Sequence, residues 1–263
     1  GALSSTVTVT GQVILADKDY VRQLTNIFKK ANIEIDGIIP NVLAERSLIL
    51  DVNEMNDNVM ILDIGAGNTD IGVFNGSNFV YANTIPLGGD NITNDIAQVF
   101  YISEEEADRL KKQYALALKS FIDNDTDIML TTYKGDERNK VIKSSELIEV
   151  IEARIEEIFS LVNKQITSLG IKSNINNVIL TGQGITCISK SDVAGKIVLN
   201  IPVKIATGRM ISTVKPAYRS SYALVRYVSS RPYAKNVASK IDVKSNENFF
   251  KTILERIKEF FYT

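Results

Sequence analysis

Short apolar runs in the middle of the chain predict strands of a sheet. Residues 59–62 are continuously apolar and partly β-branched, which is typical of a buried strand. A turn of small residues leads from this run into a second one, and Asn75-Gly76 marks a following hairpin. Residues 178–180 form another short apolar run, which leads into a glycine turn. The pattern therefore predicts strands joined by tight, glycine-lined turns.

Caps and apolar periodicity predict the elements around these strands. Asp17 is predicted to cap a helix over 18–30 whose buried face carries Val21, Leu24, Ile27 and Phe28. Ser103 is predicted to cap a helix reaching about residue 117, and Ser144 or Ser145 a long helix ending near residue 169. Strands are also predicted over 7–15, 35–39 and 201–205, helices over 41–50, 92–100 and 216–229, and a strand-rich excursion over 121–141.

The turn after the first strand has the composition of a phosphate-binding loop. It carries no bulky side chain that would keep a polyanion from the backbone, and its N–H groups are able to form an anion nest. Its residues are Gly65, Ala66, Gly67, Asn68 and Thr69, whose hydroxyl adds a donor. Asp63 is an anion like a phosphate, so we expect it to act through a hydrated Mg²⁺ or a polarised water. An ordinary tight hairpin fits the same pattern.

Two further groups are candidate contacts to a nucleotide. Gly182, Gln183 and Gly184 form a turn that lets backbone approach a flat or charged ligand closely. Asp108 and Lys111, three residues apart on one helical face, are suited to a ribose hydroxyl and an adenine edge. A solvated surface salt bridge is the alternative for this pair. The second glycine turn favours a shared ligand over two unrelated hairpins.

The end of the chain carries an amphipathic pattern over residues 247–261. At ~100° per residue, seven large apolar residues fall within an arc of about 140°: Phe249, Phe250, Ile253, Leu254, Ile257, Phe260 and Phe261. Basic residues border this arc and glutamates lie opposite, so the bases are able to snorkel toward lipid headgroups. The pattern predicts a helix that binds a membrane surface reversibly. A helix docked on its own globule or on a partner would show the same arc.

Composition excludes several classes of site. The chain has 30 basic and 31 acidic residues, so its net charge of −1 gives no global field that would attract nucleic acid. It has no histidine and one cysteine, which excludes the usual zinc sites, histidine-based triads and an intramolecular disulfide. The cysteine, Cys187, is predicted to fill the core. No apolar stretch reaches the ~18 to 20 residues of a transmembrane helix. A reducing cytoplasm is the expected compartment.

The order of the motifs resembles that of one known family. The hairpin DIGAGNTDIGVFNG is followed by TIPLGGDNITNDIA, EEADRLKKQY, IEARIEEIF and VILTGQG. This succession resembles the actin-like ATPase superfamily, and most closely its bacterial cell-division family, FtsA, over nearly the whole chain. The resemblance implies an α/β, ribonuclease H-like fold with a mixed sheet flanked by helices, an inserted subdomain and a C-terminal amphipathic helix.

The resemblance also implies a function. It implies two lobes that bind ATP and Mg²⁺, self-assembly into protofilaments, and tethering of the tubulin-like protein FtsZ to the inner face of the cell membrane at the division site. Hydrolysis of ATP is expected to be slow at most. Two other functions of the superfamily remain open: a small-molecule kinase, which needs a general-base carboxylate, and a pilus-assembly ATPase, which would bind a membrane protein's peptide.

Individual residues receive roles from the same resemblance. Asp63 takes the position that holds magnesium through water, residues 65–69 that of the second phosphate loop, and residues 182–184 that of the adenosine turn. Asp108 and Lys111 would contact the ribose and adenine.

Arg154 and Glu157 match positions that receive the C-terminal peptide of FtsZ. A solvated helix face with ordinary charges is the alternative.

The sequence departs from the family pattern in three places. The hairpin reads GAGNT where a GGGTT-like run is usual, and Gln183 replaces a middle glycine, so the grip on the nucleotide is expected to differ. The family begins with a first phosphate hairpin and an inserted subdomain, whereas this sequence opens with Gly1-Ala2-Leu3, near the end of that insert. We therefore expect a fragment, and no hydrolysis by the chain alone if the first hairpin is truly absent.

The implied division of the chain follows from these matches. Residues 1–50 are a remnant of the first lobe and of its inserted subdomain, and residues 51–117 and 177–232 form the nucleotide-binding core of the second lobe. Residues 118–176 are an inserted subdomain of that lobe, residues 233–246 a flexible linker, and residues 247–263 the membrane-targeting helix.

Overall fold

The computed structural model describes residues 13–50, 54–130, 140–207 and 218–230. The chain divides into two compact units, one of residues 1–39 and 228–263 and the other of residues 40–227. The first unit contains helix α1, Lys18–Lys30. Its predicted cap is confirmed, because the Asp17 carboxylate accepts a hydrogen bond from the Tyr20 N–H at 2.8 Å.

Two predictions for the first unit are wrong. No residue of α1 is buried, and Ile27 on its apolar face is 62% exposed. Residues 35–39 form no strand and pair with none of the described strands. Residues 13–15 are likewise not in a strand, and the rest of the stretch over 7–15 lies outside the described residues. Periodicity indicates a face that a partner is able to bury, but it does not supply the partner.

A five-stranded mixed sheet lies at the centre of the second unit. The described strands are β1 (Asn58–Ile64), β2 (Thr69–Asn75), β3 (Asn78–Ile85), β4 (Asp127–Leu130), β5 (Lys140–Lys143), β6 (Asn177–Thr181) and β7 (Val203–Ile205). The sheet has the order β3-β2-β1-β6-β7, and β4 pairs with β5 separately. β1, β2 and β3 are antiparallel, whereas β6 runs parallel to β1 and β7 parallel to β6. The predicted hairpins are confirmed, with Gly76 at φ +53° in the Asn75-Gly76 turn.

Helices lie on both faces of this sheet. They are α2 (Asn41–Ile49), α3 (Gly89–Phe100), α4 (Glu104–Gln113), α5 (Ser144–Ser168), α6 (Ser191–Leu199) and α7 (Arg219–Ser229). α2 packs on β1 and β2, whereas α5 packs between α3 and α6. The main core joins alternate residues of β1, including Met60 and Leu62, to the apolar face of α5, including Ile155 and Phe159. The predicted α/β class, with a mixed sheet flanked by helices, is confirmed.

The start of α5 differs from its prediction. Lys143 occupies the N-cap position, and neither Ser144 nor Ser145 caps the helix with its own side chain. Instead Asp125, from the preceding segment, accepts hydrogen bonds from the Ser145 N–H at 2.9 Å and from the Ser144 hydroxyl at 3.0 Å. α5 belongs to the same core as β1, and the assignment of residues 118–176 to an inserted subdomain stays a prediction. Within the described residues, no helix is long and apolar enough to span a bilayer.

Candidate nucleotide site

The turn between β1 and β2 lies at the surface at one end of the sheet. The Gly65 N–H closes it by donating to the Asn68 carbonyl at 2.9 Å. Ala66, Gly67 and Asn68 are exposed, and their N–H groups donate to no other described residue. Three unpaired amides in one exposed turn fit an anionic ligand such as a phosphate group.

Two other glycine turns meet this one through the backbone. The Gly89 N–H and the Asp90 N–H, at the start of α3, donate to the carbonyls of Gly65 and Ala66 at 2.9 and 2.8 Å. The Gly184 N–H, after β6, donates to the Ile64 carbonyl at 2.9 Å. The structure thus brings together residues 65–69 and 182–184, which are far apart in sequence. It also adds the Gly88-Gly89 turn, which the sequence analysis did not include among the site residues.

The glycines at this junction are required by the close approach of the three turns. A Cβ on Gly184 would clash with the Gly65 carbonyl oxygen, and a Cβ on Gly89 would lie 2.7 Å from the Gly184 Cα. Gly182 has φ +89°, which disfavours any other residue, and a Cβ there would meet the Ile64 carbonyl. The side chain of Gln183, between the two glycines, is exposed.

Asp63, the penultimate residue of β1, lies beside this junction and is largely buried. Its Oδ2 accepts a hydrogen bond from the side-chain amide of Asn41 in α2 at 3.1 Å. Burial first, and the charge of Asp70 second, raise the pKa of Asp63 to about 6, while the Asn41 hydrogen bond acts in the opposite direction. The described residues contain no group of three or more acids or cysteines arranged to hold a metal ion. The contact of Asp63 to Mg²⁺ through water stays a prediction.

Glu45 is the second buried acid of this region, and the sequence analysis missed it. It is 4% exposed, and its Oε1 accepts hydrogen bonds from Asn41 at 3.2 Å and from the Ser220 hydroxyl at 2.9 Å. Burial, then the charge of Asp63, raises the pKa of Glu45 to about 8, so that the group is protonated at neutral pH. Helical spacing could have predicted its burial, because Glu45 lies three residues from both Val42 and Leu48, on the apolar side of α2.

Thr69 and Lys111 are both engaged within the protein. The Thr69 hydroxyl is buried and donates to the Leu87 carbonyl at 2.8 Å. The Lys111 ammonium, also buried, donates to the Gly89 carbonyl at 3.0 Å and to the Thr93 hydroxyl at 2.6 Å. Lys111 therefore ties α4 to the first turn of α3, and its positive charge lies next to the glycine junction.

Asp108 lies at the surface of α4 and forms ion pairs with two lysines. Its carboxylate is 3.3 Å from the Lys111 ammonium and accepts a hydrogen bond from Lys112. The Lys112 hydrogen bond, as the largest cause, lowers the pKa of Asp108. The contacts of Asp108 and Lys111 to a ribose and an adenine stay predictions.

Arg154 and Glu157 lie together on α5, on a surface that also includes Asp95 of α3. The Arg154 Nε and Nη2 donate to the two Asp95 carboxylate oxygens at 2.6 and 2.8 Å, and its Nη1 donates to Glu157. The hydrogen bond to Asp95, as the largest cause, raises the pKa of Arg154. The sequence analysis did not include Asp95, whose partner lies on another helix.

Two other predictions have simple outcomes. Cys187 is exposed and does not fill the core, so that prediction is wrong. The seven apolar residues of the terminal helix lie outside the described residues, and their role stays a prediction.

Comparison with known proteins identifies the family. The profile of the family described as Cell division protein FtsA matches residues 60–223. The chain belongs to the FtsA family. FtsA of Bacillus subtilis is 32% identical over 219 residues, which make up 83% of this chain and 49% of that protein. FtsA of Buchnera aphidicola is 27% identical, covering 95% of this chain and 61% of that protein. The chain spans about half to three-fifths of the length of these curated FtsA relatives.

Solved structures confirm the actin-like fold expected of an FtsA chain. MreB5 of Spiroplasma citri bound to AMPPNP matches with a TM-score of 0.68 at 17% identity, over 86% of this chain and 68% of that one. A chain of the MamK double helical filament matches with a TM-score of 0.61 at 13% identity, over 82% of this chain and 66% of that one. At such identities the likeness shows the fold alone.

Proposed function

We propose that this chain is the nucleotide-binding part of an actin-like cell-division adaptor. It binds ATP with Mg²⁺, assembles with copies of itself, and links FtsZ to the cytoplasmic face of the membrane. The observation that carries the proposal is the junction of three glycine turns beside the largely buried Asp63. Membership of the FtsA family supports the cell-division role over a small-molecule kinase or a pilus-assembly ATPase.

The residues of the junction have separate tasks in this proposal. The exposed amides of Ala66, Gly67 and Asn68 would hold phosphate oxygens, and Asp63 would hold Mg²⁺ through water. Lys111 holds α4 to the first turn of α3 and adds positive charge nearby. ATP bound with Mg²⁺ supplies a phosphoanhydride bond and a compact negative charge at this end of the sheet.

Nucleotide binding is testable with a charge placed in the open turn. A Cβ on Gly67 meets nothing within 4 Å, so Gly67→Asp is expected to fold while its carboxylate repels the phosphates. Gly37→Asp is the matched control, because a Cβ on Gly37 also meets nothing within 4 Å and the residue lies in the other unit. We expect fluorescent ATP with Mg²⁺ to bind at least about tenfold more weakly to Gly67→Asp than to wild type or Gly37→Asp. Equal binding to all three would contradict the proposal.

The membrane part of the proposal rests on the amphipathic pattern over residues 247–261. Ile257→Glu puts a charge on the apolar side of that pattern, whereas Thr252→Glu puts the same charge on the polar side. In flotation with anionic liposomes, we expect wild type and Thr252→Glu to float and Ile257→Glu to remain in the dense fraction. Flotation of Ile257→Glu to the same extent as wild type would count against the anchor.

A further inference from the structure

The guanidinium of Arg154 is occupied along two of its edges by carboxylates of its own chain. Asp95 takes the edge formed by Nε and Nη2, at 2.6 and 2.8 Å, and Glu157 takes a hydrogen of Nη1. A peptide that is to bind Arg154 through a carboxylate therefore meets no open cation. It has to replace one of the two carboxylates that are already present.

The two carboxylates differ in how firmly they hold Arg154. Asp95 binds with both oxygens and comes from another helix, and the side chains of this pair are only 22% and 25% exposed. Such two-point contacts between arginine and a carboxylate fix the plane of the guanidinium. Glu157 is 50% exposed, lies one turn away on the same helix, and makes a single contact. An exposed ion pair of this kind contributes little to stability, so Glu157 is the carboxylate that exchanges more easily.

Charge leads to the same conclusion. Two carboxylates and one guanidinium leave one excess negative charge, which repels an acidic peptide as long as all three groups stay together. Removal of Glu157 from the guanidinium frees a hydrogen-bonding edge of Arg154, which remains fixed in orientation by Asp95. Arg154, oriented by Asp95, therefore forms a binding site for one further carboxylate, and Glu157 occupies that site in the free chain.

We propose that Glu157 stands in for a carboxylate of an acidic peptide at Arg154, and that Asp95 positions the guanidinium while the two exchange. The proposal rests on the proposed function, the link to FtsZ, together with the expectation from the sequence that this surface receives the C-terminal peptide of FtsZ. It assigns Glu157 a different part from the one expected of it: Glu157 is a competitor of the peptide, and Asp95 is the positioning residue.

Three variants that change the net charge equally separate this proposal from simple electrostatics. One negative charge is removed by each of Asp95→Asn, Glu157→Gln and Glu156→Gln. Glu156→Gln is the control, because Glu156 is an exposed neighbour of Glu157. The probe is a fluorescently labelled synthetic peptide of the FtsZ C-terminus from the same bacterium, titrated by anisotropy. We expect Glu157→Gln to bind about two- to fivefold more tightly than Glu156→Gln. We expect Asp95→Asn to bind the peptide at least about fivefold more weakly than wild type does, although the loss of one negative charge would by itself favour an acidic peptide.

The outcomes distinguish this proposal from the function on which it rests. Equal affinities of Glu157→Gln and Glu156→Gln, or tighter binding by Asp95→Asn, overturn the proposal and leave FtsZ as the partner. If Arg154→Glu binds the peptide as tightly as wild type does, this surface is not the one that receives the peptide. If wild type does not bind the peptide, FtsZ is not the partner. Either result overturns the proposal as well. A peptide whose acids are replaced by amides is expected to bind Glu157→Gln and Glu156→Gln alike, and a remaining difference contradicts the exchange of carboxylates.

Discussion

Replacement of Glu45 by glutamine is expected to remove a pH-dependent loss of stability. Burial, with a smaller part from the charge of Asp63, raises the pKa of Glu45 from 4.5 to about 8, while hydrogen bonds from Ser220 and Asn41 act in the opposite direction. At pH 7 the carboxyl group is therefore protonated in the folded chain and ionised in the unfolded chain. Glutamine has nearly the same shape and no proton to release.

The size of the effect follows from the pKa. At about 1.4 kcal/mol per pH unit, a pKa raised from 4.5 to about 8 corresponds to roughly 5 kcal/mol as an upper value. This stability is fully present below pH 4.5 and is lost as the pH rises toward about 8, because the unfolded chain releases the proton first.

Ionisation of Asp63 also lowers the free energy of unfolding as the pH rises, but over a lower pH range. Its pKa is raised from 3.8 to about 6, so its contribution is lost mainly below about pH 6. The interval from about pH 6 to about pH 8 therefore reports mainly on Glu45. Over these two units we expect a loss of roughly 2 kcal/mol in the free energy of unfolding.

Urea unfolding followed by circular dichroism at about pH 6, 7 and 8 measures this loss. Wild type and the surface control Glu156→Gln are expected to lose roughly 2 kcal/mol across the interval, whereas Glu45→Gln is expected to lose at least about 1 kcal/mol less. The same slope in Glu45→Gln as in wild type would refute the reasoning, since it would mean that Glu45 is ionised in the folded chain at neutral pH.

The remaining predictions concern the glycine junction and its support. Gly184→Ala is expected to lower the free energy of unfolding by about 3 kcal/mol or more, because its Cβ would clash with the Gly65 carbonyl, whereas Gly67→Ala, in open space, is expected to change it by no more than about 0.5 kcal/mol. Urea unfolding checks both, and similar values would argue against the close approach of the turns. Lys111→Met is expected to cost about 1 to 3 kcal/mol, since it leaves the buried Gly89 carbonyl without this donor, against about 0.5 kcal/mol or less for the exposed Lys112→Met. Hydrogen exchange at the first turn of α3 is expected to be faster in Lys111→Met but not in Lys112→Met. Unchanged protection in Lys111→Met would contradict the role of Lys111 in holding α4 to α3.

Elements that depend on neighbours in sequence were predicted well. The strands around the 65–69 turn, the Asn75-Gly76 hairpin, and the Asp17 and Ser103 caps all rest on residues a few positions apart. Predictions failed where a partner comes from elsewhere in the chain. The cap of α5 is supported by Asp125, and residues 35–39 pair with no described strand. The prediction for Cys187 failed for another reason: it closely follows a buried strand in sequence but is itself exposed.

By itself the sequence determined the central strands, the two glycine turns and the motif order that indicates the family, because these are local patterns. Only the tertiary structure decided what surrounds each charged group. It brings Asn41 and Glu45 to Asp63, Gly89 to Lys111, and Asp95 to Arg154. The physical reason is that spacing along a chain carries no distance between helices, whereas pKa values and the availability of a charge for binding depend on burial and on partners across the fold.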